Sequence, residues 1–179
     1  VVLNEATGRK VIVTHPGMMP GIVIADPELT LELPPHITAA TGMDALAHCL
    51  EAYCSPFHNP FCDGVALEGM KLVHDNLTKA DGSDITARAQ RRAAASMGAT
   101  AFQKGLGAIH AMSHPIGALY DTHHGLTNAV VMPYVLMRNR DVIEQNLSQV
   151  AAYLGLSGDP AAGFEAFVDW SLELRSTFE

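Results

Sequence analysis

Residues 36–54 leave a helix almost no wet side: apolar or small side chains fall on most of its faces. A helix apolar all round must be enclosed by other elements, so the chain has to build a bundle around this one. Within it, "TGMDALAHCLEAY" (41–53) holds Asp44 and His48 at i and i+4. Both side chains therefore leave the same face about one turn apart. A charge in such a setting is costly without a partner, so the pair must bind something.

The rest of the chain supplies the enclosing helices. Pro56, Asn59 and Pro60 end the first one. A second helical pattern covers about 61–78. A third starts from a cap at Ser83 or Asp84 and runs to about Gln103, with Arg88, Arg91 and Arg92 on its wet side. "KGLG" punctuates at 104–107, and a short helix follows to about Leu119. "YDTHHG" reads as a loop, and helical patterns resume over about 126–138, 140–154 and 160–178. Ahead of Pro34 and Pro35, the β-branched runs Val11–Thr14 and Ile22–Ile24 are split by Pro16, Gly17, Pro20 and Gly21. They predict one or two short strands with loop. The fold class is mainly α: a bundle-like helical domain with a short β-containing N-terminal lead-in and no internal repeat.

Composition narrows the class of function. A chain of 179 residues can bury a core, and 48% hydrophobic against 17% charged residues is globular rather than disordered. A net charge of −8 with no basic run argues against nucleic acid and membranes as partners. The longest apolar run, near "NAVVMPYVLM", is too short to span a bilayer, and no signal peptide is read. Cys49, Cys54 and Cys62 lack the C-x-x-C spacing of a zinc knot. They read as packing residues of a cytoplasmic protein rather than a disulfide framework.

Histidine is the unusual residue. The chain has nine, four of them between positions 110 and 124. "GLGAIHAMSHPIGALYDTHHG" places His110 and His114 at i, i+4 on a short helix, with His123 and His124 in the following loop. Together with Asp44 and His48 this gives one carboxylate and up to five imidazoles from two segments, a common way to build a metal site. Nitrogen and oxygen ligands without thiolate suit Fe(II), Zn, Mn or Co, and not Cu(I) or an iron–sulfur cluster. An Asp–His hydrogen bond alone would also satisfy Asp44 and His48. His15, His36, His58 and His74 read as ordinary surface histidines. "GLGAIH" begins like a dinucleotide fingerprint but lacks its third glycine and a preceding strand, and H-E-x-x-H is absent.

At "VIADPELTLELPP", "TGMDALAHCLEAYCSP", "NPFCDGVALEGMKLV" and "GLGAIHAMSHPIGALYDTHHGLTNAVVMPYVLMRN" the sequence resembles the iron-containing (group III) alcohol dehydrogenase family. The resemblance covers most of residues 22–139. It implies metal ligation by Asp44, His48, His110 and His124, and a place for His114 beside the nicotinamide and substrate, as a catalytic and cofactor-contacting residue. Spacing alone does not choose His124 over His114, and His123 receives no role. In the family's dehydroquinate synthase-like architecture, an N-terminal α/β domain holds NAD or NADP on a glycine turn. The resemblance therefore implies that residues 1–33 are the remnant of that domain with its linker. Residues 34–179 would be the helical metal-binding domain, short of its last helices.

What the resemblance implies for the full-length enzyme is reversible, metal- and NAD(P)-dependent oxidation of alcohols to aldehydes or ketones. The metal is Fe(II), with Zn or another divalent ion as substitute, and the enzyme is a cytoplasmic homo-oligomer. This chain on its own is expected to be inactive. Two alternatives stay open: a metal-binding helical domain without turnover, and a related family member that eliminates or cyclises a sugar phosphate at the same metal.

Overall fold

A computed structural model of the chain describes residues 2–11, 13, 15–79 and 84–177. The helices are α1 (Pro35–Cys54), α2 (Pro60–Asn76), α3 (Ile85–Ala101), α4 (Ala108–Tyr120), α5 (His124–Arg138), α6 (Arg140–Leu154) and α7 (Gly163–Ser176). Ahead of them lies one antiparallel hairpin, β1 (Val2–Asn4) with β2 (Arg9–Val11), in register Val2 to Val11 and Asn4 to Arg9.

Local chemistry explains most of the boundaries. α1 and α2 carry proline in the first turn, where its missing N–H costs nothing and its φ is already helical. Asn59 caps α2 by accepting from the Cys62 N–H at 3.2 Å. Asp84 caps α3 by accepting from the Thr86 and Ala87 N–H groups at 2.9 and 3.0 Å, while Ser83 lies outside the described residues. Gly155 closes α6 in the left-handed region at φ +77°.

α1 is the central helix, packed against α2, α3 and α5, with Leu46, Ala47, Cys49 and Ala52 fully buried. Met70 and Val73 of α2 with Leu77 just after it, the small Ala94 and Ala101 of α3, and Met132 and Leu136 of α5 complete the layer around it. α6 and α7 pack on each other through Leu147, Val150, Phe164 and Phe167. Cys49 and Cys62 are buried and Cys54 is half-buried, all three free; burial pushes the Cys49 and Cys54 thiols up to about 12, consistent with packing roles.

Several expectations need correction. Ile22–Ile24 is not a strand: with no neighbouring strand to pair with among the described residues, it runs unpaired, 84%, 72% and 81% exposed. The strand expected over Val11–Thr14 ends at Val11; Ile12 and Thr14 lie outside the described residues. The hairpin instead turns on Asn4, whose Oδ1 accepts from the Ala6 and Thr7 N–H groups, and on Gly8 at φ +64°. Arg88 is not on a wet face but 2% exposed, because the turn Pro27–Thr30 folds over α3 and the Arg88 guanidinium donates to the Thr30 carbonyl. Arg91 and Arg92 are half-buried. Arg91 donates to Thr41 Oγ1 at 2.8 Å, and burial together with the charge of Arg88 lowers its pKa to about 10. His74 is half-buried rather than a surface residue, between the Asp75 carboxylate at 2.8 Å and the Trp170 ring at 5.4 Å. α5 starts at His124, so the loop expected over 120–125 is confined to residues 121–123.

Candidate metal centre

Three helix segments converge on one point. Asp44 and His48 come from the middle of α1, His110 and His114 from the first half of α4, and His124 is the first residue of α5. The approach of α5 to α1 depends on Gly125: a Cβ there would stand 2.0 Å from the Ala40 carbonyl oxygen and 3.3 Å from the Asp44 Cβ. Gly98 does the same behind His48, where a Cβ would lie 3.0 Å from the histidine's own Cβ. Asp121 takes the left-handed region at φ +52° to turn the chain from α4 into α5.

Asp44, His110 and His124 each present one ligand atom, all within 4.8 Å of one another. Asp44 Oδ1 stands 3.4 Å from His110 Nε2 and 3.5 Å from His124 Nε2. Ligands about 2.1 Å from a tetrahedral metal are separated by edges of about 3.4 Å, so the two spacings from Asp44 match two edges of such a site. His48 lies beside this group rather than in it. Its Nδ1 is 3.7 Å from the other Asp44 oxygen, and its ring is 4.3 Å from that of His110 and 5.3 Å from that of Phe102. His114 is half-buried, its ring 5.1 Å from His124 and 6.1 Å from His110. His123 is exposed at the N-terminus of α5 and outside the group.

The cluster faces a cavity of about 680 Å³, lined also by Phe102, Gln103 and Leu106 and by Val13, His15, Pro16, Met18 and Met19 of the lead-in. His15, expected to be an ordinary surface residue, is exposed but sits on the cavity wall, its ring held by the Gly17 N–H at 3.0 Å.

Two further residues, Glu51 and Asn128, complete the site. Glu51, 7% exposed, accepts from the Ile109 N–H through Oε1 at 2.6 Å and meets His110 Nδ1 through Oε2 at 2.7 Å. A carboxylate on Nδ1 holds a ring hydrogen there and turns Nε2 to the cluster, where it would give up its own hydrogen to a cation. Asn128 Nδ2 donates to Asp44 Oδ1 at 2.7 Å and lies 3.3 Å from both His110 Nε2 and His124 Nε2. Once both imidazoles are neutral, two amide hydrogens cannot satisfy three acceptors, and Asn128 Oδ1 is itself buried with no partner among the described residues. Such an excess of acceptors is what a cation relieves. Both residues left a trace in the sequence: Glu51 follows His48 by three and Asn128 follows His124 by four, one turn along the same helix faces.

The charges agree. Burial works to raise the pKa of Asp44, but the hydrogen bond with His110 and the imidazoles of His48 and His124 outweigh it and hold the carboxyl below its usual range. Burial lowers the pKa of His48, outweighing the pull of Asp44, so its ring is neutral and able to ligate. Burial would lower His110 as well, but Asp44 and Glu51 on its two nitrogens push it up to about 9. The point between these groups attracts positive charge, whether proton or metal.

Residues 38–177 match the family model described as Fe-containing alcohol dehydrogenase family, C-terminal. The chain belongs to this family and carries its helical C-terminal part. It is 48% identical over 148 residues to the 4-hydroxybutyrate dehydrogenase of Cupriavidus necator, which covers 79% of this chain and 38% of that one. The iron-containing alcohol dehydrogenase structure from Thermococcus thioreducens superposes with a TM-score of 0.85 at 32% identity, covering 93% of this chain and 43% of that one. The sulfoacetaldehyde reductase of Bifidobacterium kashiwanohense, solved in complex with NAD+, superposes with a TM-score of 0.85 at 30% identity, covering 97% of this chain and 47% of that one. The chain thus spans about two fifths of the length of the curated relatives it matches.

Proposed function

We propose that this chain is the metal- and substrate-holding part of an NAD(P)-dependent alcohol dehydrogenase, with one divalent cation, Fe(II) or Zn, held by Asp44, His48, His110 and His124. The observation that carries the reading is the convergence of Asp44 Oδ1, His110 Nε2 and His124 Nε2 on one wall of the 680 Å³ cavity. When bound, such a cation would supply Lewis acidity toward an alcohol oxygen and a nicotinamide would supply the hydride acceptor for the carbinol carbon.

The chain's own residues do the rest. Asp44 would supply the negative charge and the three imidazoles neutral nitrogens, the cation taking the place of the proton that Asp44 and Glu51 hold on His110. The half-buried His48 ring adjoins the group through its Asp44 contact and would turn in as the fourth ligand. Asn128 steadies Asp44 by a 2.7 Å bond. Phe102, Leu106 and Met18 line the cavity with apolar surface and limit water at the reacting oxygen. His114, on the wall near His124, orients the substrate and nicotinamide end and passes the alcohol proton outward through its imidazole. The dehydrogenase names of the relatives and the NAD+ in one related structure support this reading. Residues 1–33 and 34–179 are then the edge of the cofactor domain and the metal-binding domain. Cytoplasmic placement and homo-oligomerisation are part of the same reading. Among the described residues no helix is long and apolar enough to cross a membrane.

The test has two arms. The protein encoded by the whole reading frame that carries this sequence should reduce NAD(P)+ in the presence of a primary alcohol, lose that activity on chelation and regain it with Fe(II) or Zn(II). The 179-residue chain alone should bind NADH or NADPH no tighter than about the millimolar range, because neither its lead-in nor "GLGAIH" offers a glycine turn at a helix N-terminus for the pyrophosphate. Metal-independent turnover by the whole frame, or micromolar cofactor binding by the chain, contradicts the proposal.

A further inference from the structure

We infer that Glu51 is the positioning residue of the centre: one carboxylate that caps α4 and sets which nitrogen of His110 faces the metal. This rests on the metal reading above. α4 has no cap of its own, because its N-cap residue is Gly107, which has no side chain to offer. Glu51 reaches across from α1 to fill that role, taking the Ile109 N–H on Oε1 at 2.6 Å and lying 3.4 Å from the His110 N on Oε2. A carboxylate at a helix N-terminus satisfies orphan donors and complements the helix dipole. Oε2 also holds His110 Nδ1 at 2.7 Å. Backbone position, ring plane and tautomer of His110 are thus fixed by one group. Gly107 keeps the space: a Cβ there would stand 2.9 Å from Glu51 Oε1.

Glutamine cannot do both jobs. It has the same shape but only one acceptor oxygen. If Gln oxygen serves the Ile109 N–H, its amide N–H₂ points at His110 Nδ1, which must then accept. The ring hydrogen moves to Nε2, the atom that should face the metal. If the oxygen serves His110, the amide opposes the Ile109 N–H, donor against donor. Either way the arrangement loses the ligand geometry or the cap.

The experiment compares wild type with Glu51→Gln in the full 179-residue chain. Zn(II) affinity is measured by competition with a chelator of known strength, and the imidazole nitrogens are read by NMR of ¹⁵N-histidine-labelled protein. The expected result is one Zn(II) per chain in both, bound about 10–100-fold more weakly in Glu51→Gln. The wild-type Zn(II) form should show a slowly exchanging His110 Nδ1–H with Nε2 on the metal, and the variant should lose either that signal or the protection of the Ile109 N–H. Wild-type affinity in Glu51→Gln with the Nδ1–H signal retained overturns the role of Glu51 and leaves the metal centre standing. No Zn(II) on the wild-type chain overturns the metal reading itself, and this inference with it. Should Glu51→Gln fail to fold, the wild-type spectrum decides: Zn(II) on His110 Nδ1, or no protected Nδ1–H, refutes the inference.

Discussion

Gly125→Ala is expected to cost about 3 kcal/mol or more, at or above the top of the usual range for overpacking. For a domain of this size that lowers the melting temperature by about 6–12 °C. The added Cβ would stand 2.0 Å from the Ala40 carbonyl oxygen and 2.6 Å from its carbon, both backbone atoms of α1. No rotamer relieves such a clash; α5 must back away from α1. Because His124 precedes Gly125 and Asp44 follows Ala40 by one turn, the same retreat pulls two ligand atoms apart. Metal affinity should therefore fall together with stability. Gly64→Ala is the control. It lies inside α2 with nothing within 4 Å of the added carbon, so it should stabilise by about 0.5–1 kcal/mol. A thermal melt of both variants checks this, and a Gly125→Ala melt within about 2 °C of wild type would refute the close helix approach.

Asp44→Asn should reduce divalent metal affinity more than 100-fold, beyond the roughly 10–100-fold typical of losing a residue that only supports a ligand. The substitution keeps the shape but removes the only carboxylate among the three converging ligands. The fold should be spared, since the Asp44 side chain is 27% exposed and asparagine can still accept from Asn128 Nδ2, now 2.7 Å away. Chelator competition on wild type and variant, with circular dichroism to verify the helix content, measures the effect. An affinity within about threefold of wild type, far short of the roughly 10–100-fold expected even of a supporting residue, would mean that Asp44 serves only to hold His48 and Asn128.

Helices were legible in this sequence because their ends are written in local chemistry. Pro35, Asn59–Pro60 and Asp84 act through their own backbone neighbours, so reading them needs no knowledge of the tertiary fold. The mainly α class and the central place of α1 followed from the same kind of signal. The hairpin was missed because its strands are three residues each and its information sits in the Asn4 and Gly8 turn rather than in β-branched runs. Arg88 was misjudged for a tertiary reason: the turn that covers it is 58 residues away in the chain. The same limit applies at the site. The i, i+4 pairs mark α1 and α4 as sources of candidate ligands, but only the packing of α5 decides that His124 Nε2 comes to 3.5 Å from Asp44. The reach of Glu51 across to α4 is likewise a property of packing, since its partners are 58 and 59 residues on.

Anomalous X-ray scattering from crystals of the chain prepared with Fe(II) or Zn(II) tests the central claim most directly. The account predicts one peak per chain at the metal's absorption edge, about 2.0–2.2 Å from Asp44 Oδ1, His110 Nε2 and His124 Nε2, with the His48 ring turned in as the fourth ligand. A chain without such a peak at saturating metal, or a peak held by other residues, would contradict it.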